Sequence, residues 1–191
     1  AFFRWIEEHA AALARFEPEP MKRLIQRSAE LHLHHIATSG DPFEMGSARP
    51  LDFGHWAAHK LEQLSEYRLR HGEAVAIGLA LDTVYSQHQG FLAAEAAERV
   101  LHLLEQLGFE LFTPDLLREE EEGHLLVVGG LEEFREHLGG ELTITLLAEI
   151  GRGFEVHAMD VQAVIAGIAE LHRRHAARGQ PGPVSRPAEA G

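Results

Sequence analysis

The feature that most constrains this chain is the run Glu73-Ala74-Val75-Ala76-Ile77-Gly78-Leu79-Ala80-Leu81, which is apolar on nearly every face and rich in small residues. A helix of this kind has no side to show to water, so it belongs at the centre of a fold with other elements packed around it. The chain has 191 residues, 45% of them hydrophobic, enough to bury one sizeable core around such a helix.

The remaining sequence supplies the surrounding elements. Apolar residues recur at helical spacing from Phe2 to Phe16, and Pro18 and Pro20 break that pattern before a second helix through Met21, Leu24, Ile25, Leu31 and Ile36. Turn formers from Thr38 to Pro42, with Pro50 further on, predict a loop over about residues 38–51. Asp52 stands where an N-cap belongs, ahead of a helix through Trp56, Leu61 and Leu64. Leu92–Leu107 is amphipathic and ends at Gly108, while Val161–His172 is again helical. Leu125–Val128 and Leu142–Leu147 are β-prone, and the acidic run Glu119–Glu122 reads as a solvated face. The expected fold is mainly α, a helical domain over residues 1–178 with at most a small β-hairpin, followed by a disordered tail at 179–191. The chain starts at Ala1 inside an amphipathic pattern, which reads as a piece of a longer protein.

Composition narrows the function classes. There are 17 Lys plus Arg against 30 Asp plus Glu, a formal net charge of −13, so no nucleic acid and no anionic membrane is expected as a partner. Cysteine is absent, which removes disulfides and thiolate chemistry and fits a cytoplasmic location. No apolar run approaches the roughly 20 residues that cross a bilayer.

Fourteen histidines invite a metal reading, and most have a plainer one. His9, His88, His102, His137, His172 and His175 stand singly on helical surfaces, where solvation is expected, and His32, His34 and His35 read as a polar helix end. His55 and His59 differ, because four residues apart they project from one face at the start of one helix. The positive end of a helix dipole favours an uncharged imidazole, the form that ligates metal or accepts a proton. His71 opens the next helix, beside Gly72, so three imidazoles could meet. The zincin pattern is missing, since Trp56 rather than Glu follows His55.

The blocks Leu51-Asp52-Phe53-Gly54-His55 with His59, and His71-Gly72-Glu73-Ala74-Val75-Ala76-Ile77-Gly78, resemble the pattern of dehydroquinate synthase and related sugar phosphate cyclases. Their separation, the lead-in Glu44-x-Gly46 and the segment Leu147–Gly151 fit the same family, and the resemblance extends over all but the tail. It implies the C-terminal helical half of a two-domain enzyme. NAD would be held mainly by an N-terminal domain that this chain lacks, and a divalent metal, Zn or Co, would lie in the cleft. By the same resemblance His55 and His71 are metal ligands, with a third, a glutamate, lying upstream of Ala1. His59 is the active-site histidine near the substrate, Asp52 a catalytic and substrate contact, and Arg152 a basic substrate contact.

The implied reaction is that of a carbon–oxygen lyase: NAD-dependent oxidation of a ring alcohol, loss of phosphate, return of the hydride and intramolecular aldol closure of a heptulose phosphate. The implied assembly is a homodimer of full-length chains. Three positions depart from dehydroquinate synthase proper: Asp52 in place of Asn, Ala48 in place of a carboxylate-binding Arg with Arg49 one place off, and His34 in place of a lysine. Without that Arg the bidentate carboxylate clamp is lost. The departures favour a sedoheptulose 7-phosphate type of substrate over the carboxylate-bearing DAHP, and the chain by itself is expected to be inactive. Two other readings remain open: a non-catalytic helical module that binds a metal or a partner, and a metallohydrolase built on His55, His59 and His71.

Overall fold

The computed structural model describes residues 1–38, 49–137 and 139–179. Among these, the helices are α1 (Phe2–Ala14), α2 (Pro18–Thr38), α3 (His55–Leu64), α4 (His71–His88), α5 (Ala94–Gln106), α6 (Gly129–His137) and α7 (Val161–Gly179). One antiparallel hairpin, β1 (Ile144–Glu149) and β2 (Arg152–Val156), completes the regular structure. This is the mainly α fold with a small hairpin that the sequence pattern predicts.

The apolar run lies in α4, at the centre, with Ala74, Ala76, Ile77, Gly78, Ala80 and Leu81 all buried. Helices α3, α5 and α7 and strand β1 pack around it. Small side chains let these neighbours approach closely. A Cβ on Gly78 would stand 2.0 Å from the Gly54 carbonyl oxygen, so only hydrogen fits where the start of α3 crosses α4. Trp56, Leu61, Leu116, Ile144, Leu146, Ile168 and Leu171 fill the core on the other sides.

The last turns of α4 carry buried polar groups that join it to three other elements. Asp82 accepts hydrogen bonds from the Gly54 amide at 2.9 Å and the Trp56 indole at 2.8 Å, both at the start of α3. The Tyr85 hydroxyl accepts the Asp160 amide at 3.0 Å, just ahead of α7. The Ser86 hydroxyl donates to the Asp82 carbonyl and accepts the Leu147 amide of β1. Burying these groups is tolerable because each is bonded to a partner.

The ends of the core are held by charge. Arg174 of α7 makes paired hydrogen bonds to Glu105 and Glu98 of α5, and Arg99 of α5 does the same with Glu7 of α1. Helix α2 buries no side chain fully and packs on α1, where Arg23 lies over the Trp5 ring.

Several local expectations give way. The break between α1 and α2 falls at Phe16, which adopts φ 55, and Pro18 and Pro20 lie in the first turn of α2, where a missing amide costs nothing. Asp52 is not the N-cap of α3. It ends a 3-10 turn over Arg49–Asp52, and Gly54, at φ 80, occupies the cap position with no side-chain cap bond. Leu126–Val128 forms a 3-10 turn rather than a strand, because Val127 is drawn fully into the core. The strand that pairs with β1 is instead its neighbour β2 across Gly151, at φ 89, and so short a loop closes at small entropic cost. Among the isolated histidines, His88, His102, His172 and His175 are exposed as expected, with His172 and His175 against Phe112 and His88 paired with Glu170, while His9 is half-buried and stacks on Trp5. The expected loop at 39–48, the Glu44-x-Gly46 lead-in, Ala48 and the tail from 180 on lie outside the described residues.

Candidate metal and substrate site

Gly54 turns the chain sharply into α3, and the next residue is His55. One turn on stands His59, and one further turn brings Glu62, so positions 55, 59 and 62 form a single stripe along the helix. After Leu64 the chain reverses through Glu66 and Tyr67, both at positive φ, and re-enters a helix at His71. Glu73 fixes that entry by accepting the Arg70 amide at 2.8 Å, with its carboxylate at the positive end of α4.

The two helix starts bring the three imidazoles together as expected. Ring centroids are 5.6 Å apart for His55 and His59, 5.4 Å for His55 and His71, and 6.2 Å for His59 and His71. The cluster is open: His59 and His71 are exposed, and His55 is half-buried. His55 Nδ1 lies 3.3 Å from the Phe53 carbonyl oxygen. When Nδ1 carries the proton, that contact orients the ring and leaves Nε2 with its lone pair, the form that binds a metal.

Glu62 is the residue that sequence reasoning missed. Its Oε2 is 3.3 Å from His71 Nδ1, and one ligand atom each from His59, Glu62 and His71 lie within 4.8 Å of one another. The signal was present as the third position of the 55, 59, 62 stripe. Zinc with bonds of about 2.1 Å keeps its ligand atoms roughly 3.4 Å apart, so the Glu62–His71 pair already has that spacing and His59 needs only a side-chain adjustment. Imidazoles with a carboxylate are a donor set that suits zinc or cobalt, so these residues fit a divalent metal.

The other expected site residues lie on the 3-10 turn ahead of α3, on the hairpin and on α2. Asp52 is half-buried in the 3-10 turn ahead of His55. Phe53 borders a mainly apolar cavity of about 450 Å³ with His35, Leu147, Gly151 and Phe154. Arg152 stands exposed at the hairpin turn, its guanidinium 2.6 Å from Glu149. His34 is exposed on α2.

The sequence and the fold have known counterparts. Residues 1–125 match the family model of the 3-dehydroquinate synthase C-terminal region. The chain belongs to the 3-dehydroquinate synthase family. Curated relatives include the 3-dehydroquinate synthases of Nitrosococcus oceani, 32% identical over 168 residues, and of Aeropyrum pernix, 39% identical over 141 residues. Those alignments cover 87% and 74% of this chain but 45% and 37% of the relatives, so the chain spans less than half the length of either. A solved structure with the same fold is ValA, a 2-epi-5-epi-valiolone synthase from Streptomyces hygroscopicus subsp. jinggangensis with NAD+ and Zn2+ bound. It superposes with a TM-score of 0.77 at 26% identity, over 90% of this chain and 46% of its own. Within the synthase family this chain is therefore the helical, C-terminal portion, and the histidine cluster lies within the matched residues.

Proposed function

We propose that this chain is the metal- and substrate-binding half of a sugar phosphate cyclase that eliminates phosphate from a heptulose phosphate and closes a carbocycle. The observation that carries the reading is the meeting of His55, His59 and His71 at two adjacent helix starts, with the Glu62 carboxylate 3.3 Å from His71. His55 and His71 are assigned as metal ligands. The zinc and NAD of ValA support the pairing of these two cofactors.

When bound, the metal supplies a Lewis acid that polarises a substrate hydroxyl, and NAD supplies reversible hydride transfer. The chain's own residues do the remainder. His59, exposed beside both ligands, donates a hydrogen bond to the substrate phosphate and relays a proton there. Asp52 accepts from a substrate hydroxyl at the mouth of α3, and Arg152 contacts the anionic end of the substrate from the hairpin. NAD is held mainly by the part of the enzyme that lies outside this chain, and the full-length protein works as a cytoplasmic homodimer. The helical domain runs over residues 1–178, with 179–191 as its tail.

The sugar is assigned as the sedoheptulose 7-phosphate type, because Asp52 and Ala48 stand where dehydroquinate synthases carry Asn and the carboxylate-binding Arg. The assay that decides is phosphate release by the full-length enzyme with NAD and zinc, offered heptulose phosphates with and without the carboxylate. Turnover of only the carboxylate-bearing sugar would overturn the substrate assignment, and retention of full activity by His55→Ala and His71→Ala variants would overturn the metal assignment. The presence of Glu62 also favours a second reading, a metal-binding module without turnover. That reading predicts a zinc-binding full-length protein that releases phosphate from neither sugar.

A further inference from the structure

His55 is bracketed by the two groups that Asp82 holds. The residue before it, Gly54, gives its backbone N–H to Oδ2, and the residue after it, Trp56, gives its indole N–H to Oδ1. All three anchoring groups are buried, with Trp56 at 1% exposure and Asp82 at 0%. The close approach of Gly54 and Gly78 sets how far α3 stands from α4, but two glycines offer nothing that fixes rotation about the helix axis. Two hydrogen bonds to one carboxylate, on either side of His55, do fix it. A slip of one residue in a helix turns each side chain by about 100° and would carry His55 and His59 away from His71.

We propose that Asp82 is a positioning residue for the metal centre, locking the rotation of α3 so that the His55 and His59 rings face His71. The role rests on the proposed reading of His55 and His71 as cation ligands with His59 beside them. Asp82 meets the requirement because its short side chain offers two oxygens, one facing each donor. Asparagine has one acceptor oxygen and would turn an N–H toward one of the donors. A leucine would leave the Gly54 amide and the indole buried and unpaired. Burying a carboxylate without a cationic partner is costly, and its two hydrogen bonds to the groups on either side of His55 offset part of that cost.

The test uses the 191-residue chain with cobalt(II) as probe, read by its absorption spectrum, together with nuclear Overhauser contacts between the His55 and His71 rings. Asp82→Asn is expected to weaken cobalt binding by about tenfold or more, the loss typical of groups that orient metal ligands, and to abolish the ring contact. Leu171→Ala, which opens a cavity in α7 and removes no hydrogen bond to Asp82, destabilises the fold as a control and is expected to leave both readings as they are. Unchanged cobalt affinity and ring contact in Asp82→Asn, or equal losses in Leu171→Ala, overturn the proposal. If the unsubstituted chain takes up no cobalt, the ring contact alone decides whether Asp82 positions these histidines, and an unchanged ring contact in Asp82→Asn overturns the proposal. Should Asp82→Asn not fold, Trp56→Phe removes one of the two donors and is expected to weaken cobalt binding several-fold, with unchanged affinity again overturning the proposal.

Discussion

Asp82 is a fully buried carboxyl whose two hydrogen bonds come from uncharged donors. Burial pushes its carboxyl up to about 7, and the hydrogen bonds from Trp56 and Gly54 offset only part of that cost. In the unfolded chain the same group titrates near 4, so between about pH 4 and pH 7 the folded protein holds a proton that the unfolded chain has released. Its contribution to stability is therefore complete below about pH 4 and is lost as the pH rises through 7. Relative to Asp82→Asn, the unsubstituted chain should gain on the order of 1 kcal/mol for each pH unit lowered across that window, measured by urea denaturation of both at several pH values. Gly78 makes a steric prediction. Gly78→Ala places a methyl group against the Gly54 carbonyl, and α3 must move away or α4 must bend. The expected loss is about 1–3 kcal/mol in urea denaturation, the usual cost of overpacking, accompanied by weaker metal binding because α3 carries His55 and His59.

At the scale of elements, α4 is the hub on which α3, α5, α7 and β1 pack, while α1, α2 and α6 pack on those outer helices or on one another. Helix α4 could be recognised in the sequence as central because its apolar residues have no preferred side, and it is central. Its connections to α3, α7 and β1 run through Asp82, Tyr85 and Ser86, which follow the apolar run and have no periodicity that announces them. The join between α5 and α7 is ionic. Arg174 bonds both carboxylate oxygens of Glu105 and of Glu98, and these bonds hold Glu98 below the usual carboxylate range and the guanidinium above its own. Arg174→Ala leaves Glu105 nearly buried with only the more distant Arg178 nearby, and should cost about 1–3 kcal/mol of stability. Arg174→Lys should recover little of it, since an ammonium cannot reproduce two paired contacts. Urea denaturation of the two variants checks both statements.

At the scale of the whole molecule, the histidine cluster lies open on a chain whose alignments cover less than half of the curated relatives. Two consequences follow from the proposed function. The 191-residue chain alone should release no phosphate from either kind of heptulose phosphate in a phosphate-release assay with NAD and zinc. It should nevertheless bind zinc through His71 and its neighbours, so zinc raises its thermal midpoint by mass action, about 2–4 °C for each kcal/mol of binding free energy, and His71→Ala removes the rise. Differential scanning fluorimetry with and without a chelator measures this directly. No helix among the described residues is long and apolar enough to cross a membrane.

Local chemistry was enough to reveal the helices, the central place of α4 and the pairing of His55 with His59, because periodicity and four-residue spacing act within one element. The same holds for His71 at the head of α4. What the sequence could not reveal depends on which elements meet. Val127 and Ile144 are both β-prone, yet one is drawn into the core as a turn and the other pairs with a strand only a turn away. Asp52 looks like a helix cap, but the amide at the head of α3 goes to Asp82, 28 residues further along. Glu62 became a candidate ligand only when the reversal after Leu64 laid His71 beside it. Short-range patterns specify elements, while caps, partners and ligand sets are decided by long-range packing, which alone determines the group each buried donor faces.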